Sequence, residues 1–531
     1  MSLSTIRELS NFYGADSEFV LAGGGNTSYK DEKYLYVKPS GVSLAKITEK
    51  DFVKMERSII RECFSWNSFA DADEREARVK SLMAYAVAPG SSGRPSVEAP
   101  LHELMDFTFV VHLHPAMVNG MTCGKNGAAE CAKLFPQALW VEYVDPGFTL
   151  AKVVFDKVQD YKKANGNAPS VIFLQNHGVF VGGNSDSGIR ATYENIMSTL
   201  KSYYESKNID PTAAVVEDAD AEAVMQFAPS LRGWLAPEKS IVSVRSTKAF
   251  APAAGPLTPD HIVYAKSFAL TCDDPSPEAV DAFAAAKGYK PKVVCVPGKA
   301  LFAAGNNANG AATTMALAYD AARVERLAGA FGGVNYLSDA HREFIENWEV
   351  ESYRSKVAAG SGKALTGKVA IVTGGAQGFG YGIAEVLAAA GADVVIADMN
   401  VDGAKAAAAK LGAGASGVAV NIADEESVAA MVQNVVKTYG GADLFVANAG
   451  VLRAGSVKSL TKKDWDFVTN INYSGYFLCV KHIAPVMAQQ NSASGLWSDI
   501  VQVNSKSGLV GSNRNGAYAG SKFGTIGLTQ S

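Results

Sequence analysis

The sequence predicts an α/β protein with several domains, the last of which is a doubly wound parallel sheet. Two observations carry this prediction. The chain has 531 residues, which exceeds the size of a single ordinary domain. From Lys368 onward, short apolar runs typical of buried strands alternate with helical patterns, as they do in repeated βαβ units. We therefore expect a parallel sheet in the C-terminal region.

Three regions of the chain differ in pattern. Residues 1–230 mix short strands and helices, and residues 231–355 form a second α/β stretch that we interpret as a connector. The segment 354–368 is small, polar and basic, which is typical of a linker, and residues 366–531 form the C-terminal domain. The elements predicted in chain order are a strand over 292–298, a helix over 311–330, a strand over 369–374, a helix over 382–391, a strand over 393–398 and a helix over 402–412.

Composition limits the class of protein that this chain can be. The formal net charge is −4 and 48% of the residues are hydrophobic, which is typical of a globular protein and argues against nucleic-acid binding. No apolar run approaches the ~18 residues of a membrane span, and the N-terminus carries no secretory signal. The six cysteines are scattered without a C-x-x-C pair, as in reduced cytosolic proteins. We therefore expect a cytoplasmic protein without membrane or nucleic-acid partners.

Residues 110–115 read VVHLHP and predict a buried strand that carries two histidines. Side chains two residues apart lie on the same face of a strand, so His112 and His114 project together. Two imidazoles on one face suit a metal ion, although two hydrogen-bonded core histidines fit the same short pattern. Candidate third ligands are His102 and His177, and the residues alone do not decide between them.

Other stretches of the N-terminal region carry polar groups suited to a phosphorylated ligand. In PSVE (95–98), Ser96 is a candidate helix cap, and Glu98 falls in the first helical turn on the face that also carries His102. The segments 23–30 and 37–41 are rich in glycine and hydroxyl side chains. Such loops can hold a phosphate through backbone N–H groups.

With these motifs in this order, most of residues 1–230 resemble the class II sugar-phosphate aldolase/adducin family. The matching motifs are G-N-x-S at 25–28, S-G at 40–41, P-S-x-E at 95–98, H-x-H at 112–114 and H-G at 177–178. The resemblance implies that zinc is bound by His112, His114 and His177, with Glu98 beside the metal. It also implies a phosphate pocket lined by Asn26, Ser40, Gly41 and Ser96. Val97 departs from the S-S-E pattern frequent in the family, and this departure removes one hydroxyl from the pocket.

The aldolase resemblance implies retro-aldol chemistry on a ketose phosphate. Zinc held by three neutral imidazoles keeps open positions and can act as a Lewis acid. Glu98 can carry a proton to and from the reacting carbon. The adducin branch has this fold in a structural role, but the retention of three histidines and the glutamate favours catalysis.

VTGGAQGFGYGIA (372–384) follows a predicted strand and opens a helix, which is the context that a dinucleotide-binding loop requires. Gly374, Gly378 and Gly380 allow a tight turn and a close approach of a pyrophosphate to the helix N-terminus. Asp398 ends the next strand, where a carboxylate hydrogen-bonds a ribose 2′-hydroxyl and repels a 2′-phosphate. The sequence therefore predicts a preference for NAD over NADP.

Further motifs make residues 366–531 resemble the short-chain dehydrogenase/reductase family and its Rossmann-type sheet. Tyr518 and Lys522 are four residues apart and share a helical face, and Ser505 precedes Tyr518 by thirteen residues. The resemblance implies that Tyr518 is the acid/base and that Lys522 holds the ribose and lowers the tyrosine pKa. It also implies that Ser505 positions the substrate oxygen and that Asn472 completes a proton relay.

The same resemblance implies where the cofactor binds. Two positions depart from the family pattern, since Ala447 replaces a usual asparagine and Asn421 replaces a usual aspartate. Neither position takes part in the chemistry. The implied cofactor-binding residues are Gly374, Gly378, Phe379, Gly380, Asp398, Asn421, Ile422, Asn448, Ala449, Gly450, Tyr518 and Lys522.

The sequence stops at GTIGLTQS, inside the helix that carries Lys522. Domains of this family continue with further strands, so we expect that a C-terminal part is absent here and that the sheet has an unpaired edge. From this we expect weak dehydrogenase turnover that a longer chain restores, and greater mobility in 366–531 than in 1–230. The aldolase resemblance implies a homo-oligomer built through the N-terminal domain.

The whole chain resembles bifunctional proteins that fuse a class II aldolase to a short-chain dehydrogenase, of the rhamnulose-1-phosphate aldolase/lactaldehyde dehydrogenase type. This implies cleavage of a ketose 1-phosphate to dihydroxyacetone phosphate and an aldehyde, followed by NAD-dependent oxidation of the aldehyde or a related alcohol. One alternative is a zinc-dependent sugar-phosphate epimerase fused to a polyol dehydrogenase. Another is a non-catalytic, adducin-like interaction module.

Overall fold

A computed structural model of the chain describes residues 2–66, 68–212, 217–348 and 362–531. The chain forms two compact units, each assembled from three separate stretches of sequence. Unit 1 consists of Met1–Val215, Pro252–Phe268 and Ala316–Ala358. Unit 2 consists of Val216–Ala251, Ala269–Met315 and Ala359–Ser531.

This division differs from the three regions expected from the sequence. Residues 231–355 do not form a compact body of their own, because parts of this stretch belong to unit 1 and parts to unit 2. Residues 354–361, which make up half of the expected linker, lie outside the described residues. The boundary at Met315 falls inside a helix, Ala308–Ala328, which the sequence predicted over 311–330.

Unit 1 is built on a mixed sheet of seven strands. These are β1 (Asn26–Lys30), β2 (Tyr34–Val37), β3 (Val53–Glu56), β4 (Phe109–Leu113), β5 (Leu139–Val141), β6 (Val171–Leu174) and β7 (Gly178–Gly183). Their order is β3-β2-β1-β4-β7-β6-β5, and only β5 and β6 run parallel. The helices are Leu3–Gly14, Arg57–Glu62, Ala72–Ala86, Ala99–Leu104, Ala116–Thr122, Gly127–Leu134, Phe148–Asn165, Asp186–Ser206, Pro259–Ala265 and Asp339–Asn347.

Strand β4 lies at the centre of this sheet and is buried along its whole length. Phe109, Val111 and Leu113 belong to the core on one face, and Val110 belongs to the core on the other. Because side chains alternate along a strand, His112 shares the face of Val110. Its ring stacks on Phe180 of the same core, with ring centroids 3.8 Å apart.

Unit 2 contains two sheets. The strands are β8 (Ser243–Thr247), β9 (Leu270–Thr271), β10 (Val293–Val296), β11 (Ala300–Gly305), β12 (Val369–Thr373), β13 (Asp393–Asp398), β14 (Ser416–Ala419), β15 (Leu444–Ala447) and β16 (Asp499–Gln502). The first four form a sheet of order β8-β11-β10-β9. The last five form a sheet of order β14-β13-β12-β15-β16 in which every pair is parallel, which confirms the predicted parallel sheet.

The parallel sheet of unit 2 is covered on both faces. Val369 and Ile371 of β12 belong to one core, whereas Ala370 and Val372 belong to another. The first core also contains Phe302 of β11, so the four-stranded sheet and the parallel sheet share apolar packing. The helices of unit 2 are Ala221–Trp234, Pro277–Lys287, Gly378–Ala389, Val401–Leu411, Glu425–Tyr439, Lys462–Thr469, Gly475–Ser494 and Gly516–Gln530. Across the described residues of both units, every helix is too short or too polar to cross a membrane.

Candidate functional site

The structure brings His112, His114 and His177 together in unit 1. One ring nitrogen of each histidine lies within 4.8 Å of the corresponding nitrogen of the other two. His112 belongs to β4, His114 directly follows that strand, and His177 directly precedes β7, which is the antiparallel neighbour of β4. The end of one strand therefore meets the start of the other, and this pairing explains the cluster.

The hydrogen bonds of the cluster leave nitrogen lone pairs at its centre. His112 Nδ1 donates to the Val179 carbonyl over 3.0 Å, and His114 Nδ1 lies 2.5 Å from Asp260 Oδ2. A carbonyl and a carboxylate only accept, so both Nδ1 atoms carry the ring hydrogen. Burial, reinforced by His114 and His177 and opposed by Glu98, holds the pKa of His112 well below its ordinary value. A neutral His112 therefore has its lone pair on Nε2.

The two Nε2 atoms of His112 and His114 face each other at 2.9 Å. Two lone pairs at this distance repel unless a cation lies between them. Neutral imidazoles oriented by partners on their other nitrogen are typical metal ligands. The residues present therefore fit a divalent cation, and zinc is the metal that such a histidine set commonly binds.

Glu98 lies beside the three histidines. Its Oε1 is 3.3 Å from His177 Nε2 and 3.6 Å from His112 Nε2, and the Asn26 side-chain amide donates to its Oε2. The helix begins at Ala99, so the expectation that Glu98 falls inside the first turn was wrong by one residue. Ser96 accounts for this, because its hydroxyl accepts the Glu98 N–H over 3.2 Å and holds the chain in a turn before the helix.

The first of the two expected phosphate loops is shorter than predicted. The segment 23–30 is a loop only as far as Gly25, because β1 begins at Asn26 and pairs Asn26 with His112 of β4. Asn26 is buried, and its amide holds Glu98. Its predicted contact with a phosphate stays a prediction.

The second expected loop lies against the segment that leads to Glu98. The Ser40 N–H donates to the Arg94 carbonyl over 2.9 Å, and the Ser40 hydroxyl lies 3.4 Å from the Pro95 carbonyl. Gly41 has a φ of +84°, in the left-handed region that favours glycine. These contacts bring Ser40 and Gly41 next to the turn that contains Ser96.

His102 does not join the metal-ligand cluster. Its Nδ1 lies 2.8 Å from Ser28 Oγ, and its ring packs edge-on against Phe180 with centroids 5.5 Å apart. Burial lowers the pKa of His102 to about 3. Because Phe180 also stacks on His112, the His102 ring packs against the same phenyl ring that holds the candidate ligand His112.

In unit 2, the glycines of the predicted cofactor loop occupy positions where a larger residue would be strained. Gly374 and Gly378 have φ values of +63° and +59°. A Cβ on Gly380 would lie 2.2 Å from the Gly374 carbonyl and 2.5 Å from Asn448 Nδ2, so glycine is required there. The helix Gly378–Ala389 starts without a side-chain cap, and its first N–H groups stay available for an anion.

Three other predicted cofactor-binding residues lie against this loop, namely Asp398, Asn448 and Ala449. Asp398 accepts the N–H groups of Ala376 at 3.1 Å and Asn400 at 3.0 Å, which places its carboxylate between the glycine loop and the end of β13. Asn448 donates to the Thr373 and Gly374 carbonyls, and a Cβ on Gly374 would lie 2.9 Å from Ala449 Cα. The remaining side chains differ in exposure: Phe379 is 89% exposed, Asn421 and Gly450 are exposed, and Ile422 is buried.

The predicted catalytic residues of unit 2 come from three segments of the chain: the turn with Asn472, the N-cap at Ser505, and the helix with Tyr518 and Lys522. Asn472 is buried in a π-helical turn, Asn470–Ser474, where it accepts the Val451 N–H at 2.8 Å and donates to the Val451 carbonyl at 2.9 Å. Lys522 Nζ donates to the Val503 carbonyl at 2.7 Å and lies 5.8 Å from the centre of the Tyr518 ring. Burial lowers the pKa of Lys522. Ser505 Oγ instead accepts the Ser507 N–H at 3.2 Å.

Comparison with protein-family models gives two matches. Residues 9–201 match the class II aldolase and adducin N-terminal domain, and residues 368–531 match the short chain dehydrogenase family. The chain joins a class II aldolase/adducin domain to a short-chain dehydrogenase domain. The histidine cluster lies in the first match and the glycine loop in the second, and the intervening residues 202–367 lie in neither.

Relatives resemble either the whole chain or its dehydrogenase domain. The Bacillus subtilis protein called uncharacterized oxidoreductase YuxG is 25% identical over 97% of this chain and 81% of its own length. D-threitol dehydrogenase of Mycolicibacterium smegmatis is 38% identical over 31% of this chain and 63% of its own length. The crystal structure of sorbitol-6-phosphate 2-dehydrogenase SrlD from Erwinia amylovora is 40% identical over 30% of this chain and 63% of that chain, with a TM-score of 0.29. This chain thus spans less than two thirds of the length of these two dehydrogenases.

Sequence reasoning missed several residues around the histidine cluster of the aldolase domain. Asp260 and Trp348 line the pocket beside His114, together with Pro146 and Pro259. Neither Asp260 nor Trp348 lies in a recognisable motif, because both come from the stretch interpreted as a connector. Asn176 did have a recognisable pattern, since an asparagine before His-Gly suits a left-handed turn, and its φ is +53°.

Proposed function

We propose that the first domain is a metal-dependent aldolase that cleaves a ketose 1-phosphate of the rhamnulose-1-phosphate type. The observation that supports this most strongly is the placement of His112 and His114, with two imidazole lone pairs facing each other at 2.9 Å. Glu98 completes the arrangement at 3.3 Å from His177. A structural, adducin-like module has no need of a buried carboxylate against three convergent imidazoles.

The residues of this site have separate tasks in the proposed cleavage. A bound zinc ion supplies Lewis-acid chemistry at the substrate carbonyl. The C3–C4 bond breaks with its electron pair left on C3, the C4 hydroxyl passes its proton to the Glu98 carboxylate, and Glu98 then delivers this proton to C3. Asn26 keeps Glu98 in place, and Ser40, Gly41 and Ser96 are the proposed phosphate contacts. The products are dihydroxyacetone phosphate and an aldehyde.

We further propose that the second domain oxidises this aldehyde, as its hydrate, or a related alcohol. NAD supplies the hydride acceptor. Tyr518 takes the proton of the substrate hydroxyl, Lys522 holds the ribose, and Ser505 positions the substrate oxygen. The carboxylate of Asp398, at the end of β13, is the reason to propose NAD over NADP, since it repels a 2′-phosphate.

A second candidate function follows from the relatives of the dehydrogenase domain. One relative carries the name of a D-threitol dehydrogenase, and another, from Escherichia coli, that of a sorbitol-6-phosphate 2-dehydrogenase. These names support a polyol as the substrate of the second domain, with one of its hydroxyl groups being oxidised. In this candidate the first domain is a zinc-dependent sugar-phosphate epimerase. An epimerase moves no carbon out of the sugar phosphate, so the two candidates differ in their products.

Release of dihydroxyacetone phosphate tests the first proposal. The full chain, loaded with zinc, is incubated with a panel of ketose phosphates, and dihydroxyacetone phosphate is measured. Glu98→Gln should retain zinc and lose about 10²–10⁴-fold in cleavage rate, the usual range for one acid/base group. Epimerised sugar without dihydroxyacetone phosphate would favour the second candidate. Absence of bound metal would return the domain to an adducin-like role.

A further inference from the structure

A carboxylate from outside the aldolase family match reaches one of the candidate metal ligands. Asp260 lies in the first turn of the helix Pro259–Ala265, well beyond the matched residues 9–201. Its Oδ2 is 2.5 Å from His114 Nδ1, and the two side chains are 9% and 11% exposed. His114 Nε2 points the other way, toward His112.

This contact decides which nitrogen of His114 can bind a metal. A carboxylate accepts the Nδ1 hydrogen, so the Nε2 lone pair is directed into the cluster. We propose that Asp260 is a positioning residue for the metal site, which fixes the tautomer and the ring orientation of His114. The stretch that the sequence presented as a connector therefore supplies part of the aldolase site. This inference rests on the proposed metal-dependent function.

Other contacts fix the helix that carries Asp260. Thr258 caps this helix, and its hydroxyl lies 2.9 Å from His261 Nδ1. His261 Nε2 lies 2.9 Å from Asp320 Oδ2. The residue before the helix cap is also held, since Asn176 Nδ2, next to His177, donates to the Leu257 carbonyl at 2.9 Å. The same segment is thus anchored beside a second candidate ligand.

The Asp260 carboxylate is confined on its other side by Gly24. A Cβ on Gly24 would lie 2.3 Å from Asp260 Oδ2, so any larger residue there displaces the carboxylate. This close approach gives a reason for glycine at position 24. It also offers a way to move the carboxylate while Asp260 and His114 stay unchanged.

The test measures the zinc affinity of the full chain by competition with a chelator. Asp260→Asn should weaken zinc binding by about 10–100-fold, the usual effect of losing such a partner. An amide can donate to Nδ1 and so favours the His114 tautomer that places hydrogen on Nε2. Gly24→Ala should weaken zinc binding in the same direction. In an Asp260→Ala background, Gly24→Ala should have no further effect, because nothing remains to displace.

Asp320→Asn is the matched control. It changes a second carboxylate–histidine pair that involves the same helix, but His261 is not a metal ligand and either tautomer serves it. Zinc affinity of this variant should stay within about twofold of the unmodified protein. Cobalt(II) absorption spectra of all variants report whether the ligand geometry changes along with the affinity.

The outcomes separate this inference from the proposed function. If the unmodified chain binds no zinc, both fail. If it binds zinc and cleaves its substrate but Asp260→Asn leaves affinity and spectrum unchanged, the positioning role alone is refuted. The role is refuted as well if Asp320→Asn weakens zinc as much as Asp260→Asn, because helix placement would then explain both results.

Discussion

Removal of the Arg232 guanidinium should lower the free energy of unfolding of unit 2 far more than an ordinary surface substitution does. Arg232 is fully buried on the helix Ala221–Trp234 and donates to three acceptors. These are the Val242 carbonyl at 3.0 Å, Gln490 Oε1 at 2.7 Å and Asp443 Oδ2 at 2.7 Å. Arg232→Met leaves all three acceptors without this donor. The buried negative charge of Asp443 is then stabilised by its remaining contacts with Val369 N–H and Lys368.

Breaking a buried ion pair from one side costs about 3–5 kcal/mol. The Asp443 charge keeps the Val369 N–H at 2.8 Å and Lys368 at 3.3 Å, so we expect the lower half of this range. That is a large share of the roughly 5–15 kcal/mol by which a typical domain is stable. Addition of Asp443→Asn to Arg232→Met should recover part of the loss, because it removes the buried charge.

Hydrogen–deuterium exchange of the full chain gives a readout specific to unit 2. Amides of β12 and β13 should exchange roughly 100-fold faster or more in Arg232→Met, since ~1.4 kcal/mol corresponds to a tenfold change. Arg245→Met, in the exposed part of the neighbouring β8, is the control and should change stability by less than about 0.5 kcal/mol. If Arg232→Met costs no more than this control, residues 216–251 are not an integral part of the dehydrogenase core.

Three further outcomes are expected. Asp398→Ala should narrow the preference for NAD over NADP in binding titrations, and equal binding of both cofactors by the unmodified chain would contradict the proposed role of this carboxylate. Gly380→Ala should abolish or strongly weaken cofactor binding, because the new Cβ would lie 2.2 Å from the Gly374 carbonyl; unchanged affinity would mean that the loop rearranges freely. Burial raises the pKa of Asp393 to about 6. Between about pH 4 and pH 6 the folded state therefore keeps a proton on this carboxyl group that the unfolded state has released. Stability should therefore fall as pH rises through 6, and melting temperatures of Asp393→Asn between pH 5 and pH 8 should lack this decline.

Short-range patterns in the sequence predicted the parts of the fold and site that depend on neighbouring residues. The two-residue period of VVHLHP places His112 and His114 on one face, and both join the cluster with His177. The strands over 369–373 and 393–398 appear within a residue of their predicted bounds. The start of the helix after Glu98 was misplaced because a serine hydroxyl, and not the regular helix pattern, sets the turn.

Long-range contacts could not be read from the sequence. Asp260 lies 146 residues from His114, and Arg232 lies 211 residues from Asp443. Asp260, Arg232 and Asp443 do not lie in sequence motifs. The role of each becomes visible only through its partner in the fold, which is an imidazole for Asp260 and the opposite buried charge for Arg232 and Asp443. Side chains of the stretch 231–355, whose interpretation as a connector stays a prediction, likewise meet partners on distant segments.

The interleaving of the two units along the chain constrains how this protein can be made and divided. Three stretches contribute to each unit, so the polypeptide passes from one unit to the other five times. A ribosome must therefore synthesise as far as Ala358 before all stretches of unit 1 exist, by which point Val216–Ala251 and Ala269–Met315 of unit 2 have also been made. No single cut of the chain separates unit 1 from unit 2, since a break at residue 230 would leave unit 1 without Pro252–Phe268, which carries Asp260. Any division of this chain into two pieces therefore breaks at least one of the two units.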